Sequence, residues 1–429
     1  MVDVISRLIF KLPPLSRVIV VLTGAVLIHL SIGTYHTFGN MLPYMASYMR
    51  NYTDPSVRIE HFMWVPTFQG CFPFSMVIGG TLALHVGPRM ATLIGCTIAT
   101  SAVALSYWTI KYSFFAFFVT YGLLFGLGQG IAYVTAVATT INWAPEKVGL
   151  MSGIVAAGFG VSSSIFAPIQ TRLINPSNLP STREGYFLDK DLLHRVPDVF
   201  LTLALIYAIM QLIGLIVICD PPEKVITLFG EWSMRPEEML CSSTFYFLFI
   251  ALFCSSFYAN MFYNLYKTFA ETFIDDDFFL AKAFAIGSTA NAIARVAWGY
   301  LVDRTSFQVT VSIATCMAAS LLLTMPITRD LGRYMFLLWL VGVFICMGAT
   351  HALFITAAVK CFGARWKATN YGFLTFSTTC SGVLLSVISQ FYLTSIGYTW
   401  LFIITASFPF TAFLVTSLIH FTPQGPLIS

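Results

Sequence analysis

Charged residues are scarce in this sequence. Only 10% of its 429 residues are Asp, Glu, Lys or Arg, whereas 57% are hydrophobic. An ordinary globular domain has about 25% charged residues. The scarcity of charge therefore excludes a water-soluble domain as the main body of the chain.

The sequence also lacks the residue patterns of metal sites and of intramembrane enzymes. Its nine cysteines stand singly, with no pair at metal-ligand or redox spacing. It has no His-Glu-x-x-His motif and no paired aspartates within an apolar stretch. The net charge of +4 is modest, and no block of lysines and arginines indicates a nucleic-acid site. These absences predict a protein that is not an enzyme and that has no disulfide framework, no metal and no cofactor.

The sequence does contain long segments without any charge. A helix that crosses the hydrocarbon core of a bilayer needs about 20 mostly apolar residues. Ten segments reach this length without an Asp, Glu, Lys or Arg: Val18–Met49, His61–Pro88, Met90–Ile110, Tyr112–Pro145, Val148–Thr171, Val199–Cys219, Met239–Tyr266, Thr305–Thr328, Tyr334–Val359 and Ala368–Ser429. The last has 62 residues and predicts two helices separated near Gly397, while Ala283–Val302, interrupted only by Arg295, predicts one more. The sequence therefore predicts twelve transmembrane helices, numbered 1 to 12 below.

A loop near the middle of the chain separates six predicted helices from six. Two loops are longer than the others, residues 175–198 and residues 220–238. The second predicts an N-terminal six-helix bundle over residues 1–219, a central cytosolic loop over 220–242 and a C-terminal six-helix bundle over 243–429. Many transporters consist of two related halves of this kind.

Related motifs follow helix 2 and helix 8. Residues 80–89 read Gly-Thr-Leu-Ala-Leu-His-Val-Gly-Pro-Arg, and residues 299–305 read Gly-Tyr-Leu-Val-Asp-Arg-Thr. Both resemble the Gly-x-Leu-x-Asp-Arg-x-Gly-Arg loop of the major facilitator superfamily. The first copy departs from the pattern, with Leu84 and His85 in place of the Asp and the Arg. The resemblance implies an all-α fold of twelve helices in two pseudo-symmetric halves, with gating roles for Gly80, Gly87, Arg89, Gly299, Asp303 and Arg304.

Arg295 is a charged residue within a predicted transmembrane helix. It lies eight positions before Asp303 and thirteen after Lys282, which corresponds to about 12 Å and 20 Å along a helix. A charge at the bilayer centre costs about 2.5–3.5 kcal/mol and usually faces a bundle interior or a cavity. The charge-free segments offer no carboxylate, so we expect a substrate anion as its counter-ion, held bidentately. The alternative is that backbone carbonyls or the ring of Trp298 hold the guanidinium.

Further polar and aromatic residues of the predicted helices are candidates for the same cavity. Asn291 and Trp298 fall on the face of helix 8 that carries Arg295. Histidine can titrate near neutral pH, so His36 and His351 are candidates for proton coupling, with an interhelical hydrogen bond as the alternative. Together the predicted substrate-binding residues are Arg295, Asn291, Tyr35, His36, Trp298, Tyr258, Tyr263, His351, Thr378, Gln69 and Gln129.

Two stretches resemble a narrower family. Residues 142–149 read Asn-Trp-Ala-Pro-Glu-Lys-Val-Gly, and residues 291–299 read Asn-Ala-Ile-Ala-Arg-Val-Ala-Trp-Gly. Both are similar to the oxalate:formate antiporter family, whose relatives include the monocarboxylate transporters. In that family the arginine of the second stretch contacts the substrate carboxylate, so the resemblance implies this role for Arg295. Residues 37–44 and 186–197 resemble the eukaryotic members.

Two departures from these families bear on the substrate. Oxalate exchangers carry a lysine in helix 11 where this sequence has Thr378, and one buried cation balances one carboxylate but not two. The sequence therefore predicts a transporter of small monocarboxylates such as pyruvate, lactate and formate. The alternatives are other organic anions such as oxalate, neutral solutes, and a solute sensor without transport. Monocarboxylate transporters have a lysine in helix 1 and an aspartate at the position of Asn291, so exchange and proton symport both stay open.

Charge does not fix the orientation, because the predicted loops on each side contain eleven Lys and Arg residues. Both termini are placed in the cytosol on the resemblance alone. We expect an integral protein of the plasma membrane rather than of an organelle. Its expected partners are a small organic anion, lipid and, under symport, protons. A monomeric unit is expected, with an accessory subunit as the open alternative.

Overall fold

The structure is a computed structural model that describes residues 4–57, 61–62, 64–72, 74–177, 179, 186–222, 233–270, 272–274, 276–391 and 397–419. Within these ranges the chain is mostly helical and contains no strand. We label the membrane helices α1 to α12 in the order of the predicted helices. Their bounds are α1 Pro14–Tyr52, α2 Trp64–Val86, α3 Pro88–Tyr112, α4 Phe114–Trp143, α5 Val148–Ile174, α6 Lys190–Val217, α7 Ser243–Ala270, α8 Asp277–Arg304, α9 Phe307–Thr324, α10 Arg333–Phe362, α11 Lys367–Phe391 and α12 Tyr398–Ser417.

Most of these helices have the length and composition of membrane spans. In the part of the chain that the structure describes, eleven helices are long and apolar enough to cross a membrane. α8 is not among them, yet it contains 28 residues, more than the roughly 20 that a crossing needs. The prediction of an all-α, multi-pass membrane protein is confirmed. Two short helices, Val4–Phe10 and Pro236–Leu240, precede α1 and α7.

Glycines with a positive φ make tight turns between consecutive helices. Gly87 has φ +86° and separates α2 from α3, whose first residue is Pro88. Gly397 has φ +72° and immediately precedes α12. Glycine adopts this conformation without steric cost, and the fixed φ of proline suits the first position of a helix. The break predicted near Gly397 is confirmed.

The helices group into two compact units. The first unit comprises residues 1–139 and 158–222, and the second comprises residues 140–157 and 223–429. The second unit thus includes the segment that leads from the end of α4 into the first part of α5. The bundle limits expected from the sequence, at residues 219 and 243, stay a prediction.

In the first unit, α6 packs against both α1 and α3. A Cβ atom on Gly24 of α1 would lie 2.8 Å from the carbonyl oxygen of Gly214 in α6. A contact this short leaves no room for a side chain, so the two helices meet backbone to backbone. The core beside them is aromatic, with the rings of Phe117 and Phe200 at a centroid distance of 5.7 Å.

In the second unit, α8 packs along α10, α7 packs against α11 and α12, and α9 packs against α12. The start of α5 lies against the backbone of α8. A Cβ atom on Gly299 would lie 2.1 Å from the carbonyl oxygen of Gly149, and one on Gly153 would lie 2.5 Å from that of Arg295. Glycine is therefore required on both helices at this crossing, because a larger residue would force them apart.

Candidate substrate-binding site

Arg295 lies well inside α8, nine residues before the helix ends at Arg304, and is only 7% exposed. Its Nε donates a hydrogen bond to Oδ1 of Asn291 at 3.0 Å, one helical turn earlier. Its Nη1 donates to the carbonyl oxygen of Ala156 in α5, also at 3.0 Å. Both of these acceptors are neutral oxygens, so neither cancels the charge of the guanidinium. A backbone carbonyl thus does hold the guanidinium, as the alternative from the sequence expected. Together the bonds to Asn291 and Ala156 fix the plane of the guanidinium.

Asn291 connects Arg295 to the neighbouring helix α10. While Oδ1 accepts from Arg295, Nδ2 donates to the carbonyl oxygen of Phe344 at 2.7 Å. Because a carbonyl can only accept and a guanidinium can only donate, these two partners fix which end of the amide is oxygen and which is nitrogen. Asn291 therefore positions the guanidinium, and an aspartate of the same shape could not make both bonds.

Two glycines allow the helices beside Arg295 to approach it closely. Gly153 of α5 faces the carbonyl oxygen of Arg295, as the contact of 2.5 Å described above shows. A Cβ atom on Gly348 of α10 would lie 2.9 Å from the carbonyl oxygen of Asn291 and 3.3 Å from the amide nitrogen of Arg295. Trp298, one turn further along α8, donates from Nε1 to the carbonyl oxygen of Ile345 at 2.8 Å.

The predicted residues of α7, α10 and α11 lie in the same unit as Arg295. Tyr263 and His351 both interact electrostatically with its guanidinium. The Nδ1 atom of His351 is 3.3 Å from the hydroxyl oxygen of Tyr371, which is fully buried. Tyr258, 1% exposed, forms a side-chain hydrogen bond with Thr350. The interior around Arg295 is therefore aromatic with few polar groups, which is typical of pockets for small ligands.

Thr378 lies on α11 and is 9% exposed. Its hydroxyl donates to the carbonyl oxygen of Thr375 at 2.7 Å, a bond within its own helix. The side chain at this position is thus uncharged and small.

The remaining predicted binding residues lie in the first unit. Tyr35 of α1 packs on α2, where a Cβ atom on Gly70 would be 2.6 Å from its ring. His36 has its ring centroid 5.1 Å from that of Phe159. Gln69 is 1% exposed and donates from Nε2 to the carbonyl oxygen of Tyr121 at 3.0 Å, while Gln129 on α4 is 6% exposed. The structure therefore divides the predicted residues into two groups, each within its own unit.

His29 is an intramembrane histidine that sequence reasoning missed. It lies on α1 in the same charge-free segment as His36, is 0% exposed, and has Nδ1 at 2.9 Å from the carbonyl oxygen of Ala25. Its ring centroid is 4.7 Å from that of Tyr133 on α4. The sequence signal was a histidine within an apolar segment. This signal alone does not distinguish a functional histidine from one that only packs in the core.

The second signature loop forms a cap on α5. Asp303 accepts hydrogen bonds from the backbone amides of Gly149 and Leu150, at 2.9 Å to Oδ1 and 2.7 Å to Oδ2. These amides belong to the first turn of α5, where unpaired N–H groups and the helix dipole favour a carboxylate. Arg304 lies over the ring of Tyr300 at 5.3 Å. The Asp303 contact is one that can break and re-form when helices move.

The first signature loop lacks this carboxylate and uses its arginine differently. Arg89 donates from Nε to the carbonyl oxygen of Ile218 at 2.9 Å and from Nη2 to that of Ile216 at 3.3 Å. It therefore pairs with carbonyls at the end of α6, the helix terminus that favours a cation. His85 binds within its own helix, with Nδ1 at 2.8 Å from the carbonyl oxygen of Thr81. Gly80 is buried, and Gly87 provides the turn already described.

Long apolar helices, a guanidinium buried in one of them and signature loops at the helix ends together define a multi-pass membrane protein of the transporter class. The family model for the Major Facilitator Superfamily matches residues 21–386. The chain therefore belongs to the major facilitator superfamily, whose members are transporters of small molecules in lipid bilayers rather than enzymes.

Characterised relatives are similar over most of their length. The chain is 25% identical to apicoplast pyruvate carrier 1 of Toxoplasma gondii, over 87% of this chain and 83% of that protein. It is 26% identical to the oxalate:formate antiporter of Oxalobacter formigenes, over 82% of each. These similarities agree with the resemblance drawn from residues 142–149 and 291–299.

Solved structures of the superfamily share the fold. The fucose:proton symporter of E. coli superposes with a TM-score of 0.71 at 13% identity, over 92% of this chain and 97% of that chain. A human organic anion transporter superposes with a TM-score of 0.69 at 14% identity, over 95% and 100%. The predicted fold class is confirmed.

Proposed function

We propose that this protein is a secondary active transporter that carries small monocarboxylates, such as pyruvate, lactate and formate, by alternating access. The buried and oriented guanidinium of Arg295 is the observation that carries the proposal. A guanidinium stays protonated at all relevant pH values and matches the geometry of a carboxylate with two parallel donors. In a low-dielectric interior this attraction is stronger than in water.

The supports of Arg295 suit a carrier because they orient the cation without neutralising it. Asn291 and the Ala156 carbonyl bind through neutral oxygens. The side chains around them include the aromatic rings of Tyr263 and Phe344, which offer apolar surface to a solute. A small anion with one charge and a short apolar body matches this environment.

The absence of charge at position 378 favours one carboxylate over two. Oxalate exchangers carry a lysine where this chain has Thr378, whose hydroxyl bonds within its own helix. A dicarboxylate bound to a single buried cation would retain an uncompensated anion at considerable cost. The names of the relatives, a pyruvate carrier and an oxalate:formate antiporter, support small carboxylates as the class. Oxalate and other organic anions are the second candidate.

In alternating access the binding site opens to each side of the membrane in turn. We assign a gating role to the Asp303 cap on α5, because its two hydrogen bonds would have to break if these helix ends separate. The plasma membrane is the proposed location, and both exchange and symport fit the binding site.

The test is uptake of labelled pyruvate, lactate, formate and oxalate into proteoliposomes that contain the purified protein. Arg295→Ala should lower monocarboxylate uptake by about 30-fold or more, since removing one partner of a buried charge pair costs about 2–5 kcal/mol. Arg329→Ala, at an exposed arginine outside the bundle interior, is the matched control and should transport like the wild type. Unchanged uptake by a folded Arg295→Ala variant would remove the site assignment. Binding of pyruvate without flux would identify a sensor instead.

A further inference from the structure

His29 is a buried titratable group in the first unit that the proposed transport function leaves without a role. It is 0% exposed and lies in the last turn of the Pro14–Ile32 segment of α1. Its Nδ1 must carry a hydrogen, because the carbonyl oxygen of Ala25 at 2.9 Å can only accept. The remaining nitrogen, Nε2, therefore presents a lone pair. Among the described residues this atom has no hydrogen-bond partner.

This arrangement differs from that of a histidine that serves packing alone. Buried polar atoms are nearly always paired, because an unpaired one loses its hydration without compensation. His29 has one nitrogen locked as a donor and its basic nitrogen open. An imidazole in this state can take up one proton without first breaking a protein contact.

The groups that face His29 contain no fixed charge. The charge-free segments of α1, α4, α5 and α6 have no Asp, Glu, Lys or Arg. α4 contributes the Tyr133 ring at 4.7 Å, and α5 contributes the Phe159 ring at 6.4 Å. α6 packs against α1, where its Gln211 binds Ser31 and its Tyr207 binds Thr34 of α1 and Gln170 of α5. A proton on His29 thus adds a positive charge to a neutral interior, and such a charge is costly unless an anion accompanies it.

We propose that Nε2 of His29 is the proton-binding site that couples carboxylate transport to proton movement. The inference rests on the proposed function, since the transported carboxylate is the anion that makes protonation favourable. Binding of the proton and of the anion then support each other, as linked equilibria require. His36 is partly exposed, and His351 is engaged by Tyr371 beside the permanent cation Arg295, so neither offers the same enclosed site.

The experiment compares two modes of transport in proteoliposomes. Exchange of labelled for unlabelled pyruvate at equal pH needs no net proton movement, whereas accumulation driven by an acid exterior does. With one proton per carboxylate, a pH difference of one unit supports about tenfold accumulation at equilibrium. Protein-free liposomes measure the diffusion of the free acid. His29→Gln and His29→Asn cannot titrate and should exchange pyruvate but lose the accumulation, while His194→Gln, at an exposed histidine near the start of α6, should retain both.

Each outcome decides the proposal. Accumulation by the two His29 variants equal to that of the wild type overturns it, as does a wild type that exchanges pyruvate but never accumulates it. Loss of exchange in folded His29 variants would make His29 a substrate-binding residue and also overturns it. If neither variant folds, the ratio of accumulation to exchange in His36→Gln and His351→Gln decides: a wild-type ratio in both supports the proposal, and a lower ratio in either overturns it. A wild type that exchanges no carboxylate at all contradicts the proposed function itself.

Discussion

The Oδ1 atom of Asn291 accepts a hydrogen bond from Nε of Arg295 at 3.0 Å, while the other end of the same amide is bound to the carbonyl oxygen of Phe344. The uncharged side chain of Asn291 thus binds the Nε side of the buried guanidinium. The rest of the guanidinium is oriented by this bond and by that from Nη1 to Ala156. An amide is suited to this place because it orients the charge without cancelling it.

Replacing Asn291 with aspartate should therefore impair anion binding. In Asn291→Asp the new carboxylate would pair with Arg295 and would lose the donor to Phe344. A charged hydrogen bond is worth about 1.5–3 kcal/mol, so the affinity for pyruvate should fall by roughly 10-fold or more. The measurement is the KM for pyruvate exchange, with thermal stability as a check on folding.

Asn291→Ala is the matched control for this prediction. It removes both hydrogen bonds but adds no negative charge, so its KM should rise less than that of Asn291→Asp. An aspartate variant with the wild-type KM, or one that is no worse than the alanine variant, would show that charge cancellation plays no part.

Gly153→Ala should disturb the position of Arg295 without touching its side chain. The added Cβ would lie 2.5 Å from the carbonyl oxygen of Arg295, so α5 and α8 would have to separate. Overpacking of this kind costs about 1–3 kcal/mol. We expect a lower melting temperature and weaker pyruvate uptake in the same variant.

Gly39→Ala provides the comparison, because nothing lies within 4 Å of its added Cβ. Alanine favours helix over glycine by up to about 1 kcal/mol, so this variant should be as stable as the wild type or slightly more stable. Equal melting temperatures for the two alanine variants would argue against the close contact between α5 and α8.

The depth of Arg295 was predictable from sequence because charge spacing along a helix converts directly into distance. The shared face of Asn291 and Arg295 followed from their separation by four residues. The Ala156 carbonyl was not predictable, since every residue carries the same backbone acceptor and only the crossing of α5 and α8 selects one. The cap that Asp303 forms on α5 was not predictable for the same reason, because its partners are backbone amides.

His29 shows a different limit of sequence reasoning. It has the same residue type as His36 and lies in the same apolar segment, so composition and spacing treat the two alike. Only the geometry separates them, because His29 is fully buried with Nδ1 bound to Ala25, whereas His36 is partly exposed.

The contacts of the first signature loop were not predictable either. The loop lacks the aspartate, and Arg89 instead donates hydrogen bonds to the carbonyls at the end of α6.

Thr378→Lys should shift selectivity from monocarboxylates towards oxalate. The threonine is 9% exposed and its hydroxyl bonds only within α11 in the contacts described, so a longer side chain would replace no interhelical bond there. A second buried cation costs energy in the unloaded carrier, and a dicarboxylate offsets that cost better than a single carboxylate does. We expect the ratio of oxalate to pyruvate uptake to rise by roughly 10-fold, which corresponds to about 1.4 kcal/mol.

Thr379→Lys is the control, because the adjacent residue is similarly buried, at 8% exposed, but points from a different side of the helix. An equal rise in both variants would mean that any added charge attracts oxalate, and no rise in Thr378→Lys would contradict the assignment of position 378 to the substrate site.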